Sequence, residues 1–181
     1  MAPLPKPIVR ARLEKPSLRR AQVFLAAVAR SRGLHAPWTE PPSTQSQYKA
    51  FVERAKEDKS RLSYFVCTAA GELAGVVNVS EIVRGSLCSG YLGYYALVPN
   101  DGCGYMRAGV AKVIRLCFGK HRLHRLEANI QPENTRSIAL VKNLGFRREG
   151  YSPRYLKIGG RWRDHERWAL TTESWRSHRA V

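Results

Sequence analysis

Hydrophobic and polar positions alternate along the chain in short blocks that are typical of β-strands separated by helices. Runs rich in β-branched and aromatic residues predict seven strands, over residues 8–13, 63–68, 73–80, 87–98, 123–130, 146–151 and 162–170. The second and third strands are separated by Ala70, Gly71 and Glu72, which indicates a tight hairpin.

Between the strands, apolar residues recur every three or four positions and predict four helices. The first is expected to run from a cap at Ser17 to about residue 31, with Gly33 in the C′ position. The second opens at Thr44 and Gln47, which have the spacing of a capping box, and it extends to about residue 59.

The third predicted helix starts at Tyr105, and the fourth is capped by Asn134 and ends before Gly145. The inward face of the third helix is expected to contain Met106, Val110, Val113, Ile114 and Cys117. The order βααβββαβαββ predicts a mixed α/β (α+β) fold. We expect one domain over residues 1–181, with residues 1–7 disordered.

A glycine loop joins the longest predicted strand to the third helix. Pro99 ends the strand, and Gly102 and Gly104 stand just before Tyr105. The first N–H groups of a helix lack intrahelical partners and carry partial positive charge, and glycine lets the backbone approach an anion. This arrangement predicts a phosphate-binding site, although it matches neither a P-loop nor a dinucleotide fingerprint. An ordinary turn is the alternative.

The charge of the chain favours anionic partners. Its 181 residues include 31 Lys and Arg against 14 Asp and Glu, which gives a formal net charge of +17. The basic residues are spread along the chain rather than gathered in one tail. A ribosome or rRNA contact through the basic surface and a merely solvated surface therefore remain equal alternatives.

Several other classes of protein are disfavoured. The cysteines Cys67, Cys88, Cys103 and Cys117 form no Cys-x-x-Cys pair, so no metal site is predicted. No apolar run approaches the ~20 residues of a membrane span, and no apolar segment of a secretory signal is found. We expect a cytoplasmic monomer or homodimer.

Motifs at fixed spacing then suggest a family. They are Gly93-Tyr94, Gly102-x-Gly104, Pro132-Glu133-Asn134-x-x-Ser137, Leu144-Gly145-Phe146-x-x-Glu149-Gly150-Tyr151 and Gly160-Arg161-Trp162-Arg163-Asp164-His165. In these motifs the chain resembles the GCN5-related N-acetyltransferases (GNAT), and within them the Rim-type ribosomal-protein alanine N-acetyltransferases. The resemblance implies a mixed, mostly antiparallel central sheet flanked by about four helices.

The resemblance also implies acetyl-CoA as the donor and the α-amine of a protein N-terminus as the acceptor. In the family, the strand before the glycine loop separates from its neighbour and pairs with pantetheine, while the loop binds the pyrophosphate. The positions expected to contact CoA are Tyr95, Ala96 and Leu97 on the strand, Gly102, Cys103, Gly104, Tyr105, Met106 and Arg107 in the loop and helix, and Asn134 and Ser137.

Two residues are candidates for proton transfer. Ser137 could protonate the departing CoA thiolate, and local capping of the backbone is the alternative. Many relatives carry a carboxylate where Leu97 and Val98 stand here, so Glu127 is the substitute base, acting through a water. A salt bridge from Glu127 to an arginine is its alternative. Asp101 replaces the Gln or Arg of many relatives and would repel the phosphates.

The acceptor is expected to lie near Trp38, Tyr155 and Trp162, since such loops wall the substrate channel in the family. Anchoring in the core is an equal alternative for Trp38 and Trp162, and His165 is expected to be structural. Two other functions stay open: a polyamine or antibiotic acetyltransferase on the same fold, and a non-catalytic ribosome- or RNA-binding module.

Overall fold

The computed structural model describes residues 9–179, so the segment 1–7 that was predicted to be disordered lies outside the described residues. In the described part, seven strands form one sheet in the order β1-β2-β3-β4-β5-β7-β6. Their bounds are β1 (Arg12–Glu14), β2 (Leu62–Cys67), β3 (Leu73–Val83), β4 (Ser89–Ala96), β5 (Arg125–Ile130), β6 (Arg147–Ile158) and β7 (Arg161–Thr171). All neighbours are antiparallel except β4 and β5, which confirms the predicted mixed sheet.

Six helices surround this sheet within residues 9–179. They are α1 (Ala21–Arg30), α2 (Arg32–His35), α3 (Gln45–Glu57), α4 (Tyr105–Phe118), α5 (Thr135–Asn143) and α6 (Thr172–Arg179), and a 3₁₀ turn precedes α1. Helix α4 is the crossover that makes β4 and β5 parallel.

The start of the first helix differs from the prediction. The Ser17 side chain forms no capping hydrogen bond, and regular α-helix begins only at Ala21. Gly33 was predicted at a C′ position, but it lies inside α2 and has no positive φ. The chain continues into a second helical turn there, so the glycine does not end the helix. Helix α6 was not predicted. It places Trp175 in the core.

Hydrophobic residues form a cluster on each face of the sheet. On one face, α4 and α5 place Val110, Ile114 and Val141 against Val77 and Leu126. The five predicted inward residues of α4 are all buried. On the other face, α1 and α3 cover β2 and β3 with an aromatic group that consists of Phe24, Tyr48, Phe51 and Phe65. The sheet therefore lies between two hydrophobic cores.

Strands β4 and β5 pair along only part of their length. The pairing ends at Tyr91 and Glu127. Beyond that point β4 runs to Ala96 against β3 alone, and β5 runs to Ile130 against β7 alone. We call the space that opens between them the β4–β5 gap. It leaves one backbone edge of each strand without a strand partner, directly before the glycine loop.

Candidate active site

The first turn of α4 leaves its backbone donors available. Gly104 occupies the N-cap with φ +86°, and neither a side-chain cap nor an acidic residue in the first turn accompanies it. The first helical bond runs from Ala108 N–H to Gly104 C=O, at 3.1 Å. The preceding N–H groups, which include those of Met106 and Arg107, therefore have no intrahelical acceptor. Such an end binds anions.

The glycine loop contributes to this anion-binding helix end mainly through its backbone. A Cβ on Gly102 would meet nothing within 4 Å, and the glycine has φ +70°. Cys103 and Arg107 are exposed. Met106 is buried, with its sulfur packed over Gly75. The Arg107 guanidinium, in the first turn of α4, can bring a full positive charge to an anion at this end.

Alternation along β4 decides which residues face the gap. Leu97 N–H donates to Ala74 C=O at 2.9 Å, so the backbone of Leu97 faces β3. Because successive residues of a strand alternate, Tyr95 also faces β3, whereas Tyr94 and Ala96 face the gap. Of the three strand residues predicted to pair with pantetheine, the geometry thus favours Ala96, and it adds Tyr94.

Two side chains from the segment around α2 hold the end of β4. His35 Nε2 lies 2.8 Å from Ala96 C=O, and Val98 N–H donates to Ser31 Oγ at 2.9 Å. His35 is buried, and burial lowers its pKa, so the ring is neutral and Nε2 carries the donated hydrogen. These contacts occupy the Ala96 C=O and the Val98 N–H on the side of the gap, so a ligand there can pair with the N–H of Ala96 but not with its carbonyl group. The sequence carried no signal for them, since a single Ser and a single His fit many roles.

Helix α5 brings Ser137 to the gap. Asn134 Oδ1 accepts from Ser137 N–H at 3.2 Å, which confirms the predicted N-cap. The buried Tyr94 hydroxyl donates to Ser137 C=O at 3.0 Å. Burial raises the pKa of the Tyr94 hydroxyl, and a side-chain hydrogen bond with Ser137 opposes that shift, so the Ser137 hydroxyl lies against Tyr94.

Glu127 is held by an arginine. Arg125 Nε donates to its carboxylate at 2.8 Å, and the same guanidinium binds Glu149. Glu127 also stands where β4 and β5 are still paired, at the closed end of the gap. The salt bridge, the alternative that the sequence left open, is therefore what the structure contains.

A cavity of about 350 Å³ opens beside the loop that contains Trp38. Its walls are Pro37 and Trp38 after α2, Gln131 and Glu133 after β5, and Trp162, Arg163 and Asp164 at the start of β7. Gln131 Nε2 donates to Pro37 C=O at 3.3 Å and ties two of these walls together. The structure thus brings Trp38 and Trp162 to one cavity.

Tyr155 lies elsewhere. Its ring is 5.9 Å from the His165 ring, and its hydrogen bond raises the pKa of Tyr91. It does not line the cavity. His165 is buried, with Nδ1 3.0 Å from Arg163 C=O, as expected for a structural histidine. Among the predicted acceptor-side residues, Tyr155 is the one that the geometry separates from the other two.

Two features are absent from the described residues: a cluster of metal-ligand side chains and a membrane-spanning helix. Within residues 9–179, no three His, Cys, Asp or Glu side chains are grouped to hold a metal ion. In the same part of the chain, every helix is too short or too polar to cross a membrane.

Comparison with known proteins decides the family. Residues 10–147 match the family described as acetyltransferase (GNAT) domain. The chain belongs to the GNAT acetyltransferases. Its fold agrees with that of Mycobacterium smegmatis RimJ in complex with CoA-disulfide: TM-score 0.83, 28% identity, 90% of this chain and 82% of that one. The uncapped α4 and the β4–β5 gap are thus features of a GNAT chain.

The names of the similar proteins give different acetyl acceptors. The [ribosomal protein uS5]-alanine N-acetyltransferase of Escherichia coli is 44% identical over 104 residues, which is 58% of this chain and 54% of that protein. The match thus spans about half the length of this curated relative. Vibrio cholerae spermidine N-acetyltransferase, solved with CoA and spermine, is 18% identical over 91% of this chain and 97% of that one, with TM-score 0.78. At that identity the likeness concerns the fold alone.

Proposed function

We propose that this GNAT protein transfers an acetyl group from acetyl-CoA to the α-amine of a protein N-terminus, with ribosomal proteins as the substrate class. The proposal rests on three features that lie next to one another: the first turn of α4, the β4–β5 gap with Ser137, and the cavity. The uncapped first turn of α4 adjoins the β4–β5 gap, and Ser137 contacts β4 there through Tyr94. Glu133, on the cavity wall, directly precedes Asn134, the N-cap of α5.

The proposed donor site uses mostly backbone. The pyrophosphate would accept hydrogen bonds from residues 102–107, with Arg107 adding charge. Pantetheine would lie in the gap along Tyr94 and Ala96, as an added strand does on an open edge. Asn134 and Ser137 would contact the sulfur end. Acetyl-CoA supplies the activated acetyl group as a thioester.

The proposed reaction needs little help with the amine proton. An α-amine has a pKa of about 7.7–8.0, so a useful fraction is neutral near pH 7. The amine nitrogen forms a bond to the acetyl carbon, the carbon–sulfur bond breaks, and the amine releases a proton to solvent. The Ser137 hydroxyl would give its proton to the thiolate and regain one from water. Glu127 is not required as a base, which suits its pairing with Arg125.

A ribosome contact is a separate proposal, supported by a basic cluster at the far end of α4. Burial lowers the pKa of His121, and the positive charges of Lys120, Lys15 and Arg84 lower it further. The 14 residues of α4 put this cluster roughly 20 Å from the glycine loop. We expect co-sedimentation with ribosomal particles to weaken steeply with salt, because phosphate contacts release counterions. Sedimentation that is absent, or indifferent to salt, would leave the charge as a solvated surface.

A CoA-release assay tests the main proposal. Peptides that begin with alanine or serine should be acetylated much faster than free lysine, spermidine or an aminoglycoside. Mass spectrometry should place the acetyl group on the α-amine. Faster turnover of spermidine than of every peptide would contradict the protein-acceptor proposal, and no CoA release with any amine would contradict the activity itself.

A further inference from the structure

We propose that the cavity between Trp38 and Trp162 binds a basic side chain, lysine or arginine, at the second or third residue of the acceptor. The inference rests on the proposed function, since it assumes that the acetylated group is an N-terminal α-amine. It adds a sequence preference that the overall charge of the protein does not suggest. Two strongly basic molecules repel each other at long range, so a basic acceptor needs a local negative site.

The cavity supplies that local negative charge. Glu133 is exposed and forms no ion pair within residues 9–179. Asp164 accepts hydrogen bonds from the Tyr151 hydroxyl and from Arg154 N–H, which hold its pKa below the usual value and keep it ionised. The guanidinium of Arg163 lies on the same wall, and the charge of Arg154 acts on Asp164. Glu133 is therefore the carboxylate of this cavity that no ion pair within residues 9–179 neutralises.

The side-chain amide of Gln131 independently supports a ligand that donates hydrogen bonds. Gln131 is 6% exposed, and its Nε2 is already bound to Pro37 C=O. No described residue donates to its Oε1. This oxygen belongs to a residue of the cavity wall and can accept a hydrogen bond from a ligand that carries N–H groups. Lysine and arginine carry only donors.

The aromatic walls fit the same ligand. Trp162 is 60% exposed, which is unusual for so large an apolar side chain. A guanidinium or ammonium group over an indole is stabilised by the ring quadrupole. The Arg163 guanidinium, on the same wall, can donate to a main-chain carbonyl of the acceptor. The cavity therefore offers contacts for one side chain and for the backbone that bears it.

The position of Glu133 gives the register. It immediately precedes Asn134, whose side chain binds Ser137 N–H. An extended acceptor advances ~3.3 Å per residue. An acceptor whose α-amine reaches the acetyl group near Ser137 therefore passes Glu133 with its second or third residue. A polyamine could meet the same carboxylates, but the apolar walls and Arg163 favour a peptide.

Matched peptides test the inference. Peptides that begin with alanine and differ only in Arg, Gln or Glu at position two or three should be acetylated with kcat/KM falling in that order. We expect about a tenfold preference for Arg over Glu. Glu133→Lys should remove or invert the preference. Glu57→Lys, at the exposed end of α3, makes the same charge change and should retain it. Trp162→Ala should weaken the preference by raising KM for the Arg peptide alone.

The outcomes separate the two proposals. Equal kcat/KM for the Arg and Glu peptides in the wild-type protein would overturn this inference and leave the proposed function intact. A preference that survives Glu133→Lys and Trp162→Ala would overturn it too. Acetylation of spermidine but of no peptide would overturn both proposals, since the cavity would then serve a polyamine.

Discussion

Helices α3 and α4 have 13 and 14 residues, yet their first turns are built in opposite ways. In α3, Gln47 N–H donates to Thr44 Oγ1 and Thr44 N–H donates to Gln47 Oε1, both at 3.3 Å. In α4, the cap is Gly104, and no side chain accepts from the first N–H groups.

The start of α3 stabilises the fold, whereas the start of α4 is suited to binding a ligand. The capping box of α3 satisfies two of its N-terminal donors, the N–H groups of Thr44 and Gln47, with side chains of the same turn. The donors of α4 face solvent beside a gap in the sheet, where water or an anion must satisfy them. Helix α5 lies between these cases, because Asn134 Oδ1 caps one of its first-turn donors, the N–H of Ser137.

The largest expected effect comes from blocking the open end of α4. Acetyl-CoA at a hundredfold excess over its Kd should stabilise the wild-type protein by roughly 2.7 kcal/mol. For a chain of this size, that energy raises Tm by roughly 5–10 °C. Gly104→Glu should remove this increase, because it places bulk and negative charge where the phosphates bind. Differential scanning fluorimetry with and without acetyl-CoA measures it.

Gly85→Glu is the matched control. Gly85 also has positive φ, +71°, and lies in the turn between β3 and β4, where an added Cβ would meet nothing within 4 Å. This variant should carry the backbone strain and still respond to acetyl-CoA. If the Gly104→Glu protein kept the full increase in Tm with acetyl-CoA, the assignment of the phosphate site would be wrong.

A smaller effect is expected at α5. Ser137→Ala should lower kcat by roughly 10²-fold, the lower range for acid–base catalysis, while the Kd for acetyl-CoA stays nearly constant. The backbone of Ser137 is held by Asn134 and Tyr94, so its position should survive the change. Ser46→Ala, which removes a hydroxyl from the first turn of α3, is the control and should leave kcat unchanged. Unchanged turnover in Ser137→Ala would exclude the thiolate-protonating role.

The smallest effect is expected at α3 and concerns stability alone. Thr44→Ala removes the capping box and should lower the free energy of unfolding by about 1 kcal/mol. Chemical denaturation measures that loss. The increase in Tm with acetyl-CoA should match that of the wild-type protein. If Thr44→Ala weakened acetyl-CoA binding as much as Gly104→Glu, the contrast between the two helix starts would be false.

Local patterns in the sequence predicted much of this contrast. The capping box of α3, the buried face of α4 and the Asn134 cap each involve residues within a few turns of one another, where spacing determines contact. Gly33 was misjudged because a glycine can end a helix or sit within one, and neighbouring residues alone do not decide between them.

The site depends on contacts that the sequence could not reveal. His35 and Ala96 are 61 positions apart, and Gln131 and Pro37 are 94 apart. Such pairs are set by how helices dock on the sheet rather than by local spacing. The resemblance to a family did imply that the strand before the glycine loop separates from its neighbour. It did not imply that β4 is held there by Ser31 and His35.

Amide hydrogen exchange tests the central claim most directly. Binding of acetyl-CoA should slow exchange strongly over residues 102–107, because their N–H groups gain phosphate acceptors. Exchange at Gln47 should stay unchanged, since its N–H is already bound to Thr44. Acetyl-CoA binding that is demonstrated by calorimetry but leaves residues 102–107 as exchangeable as before would contradict the account.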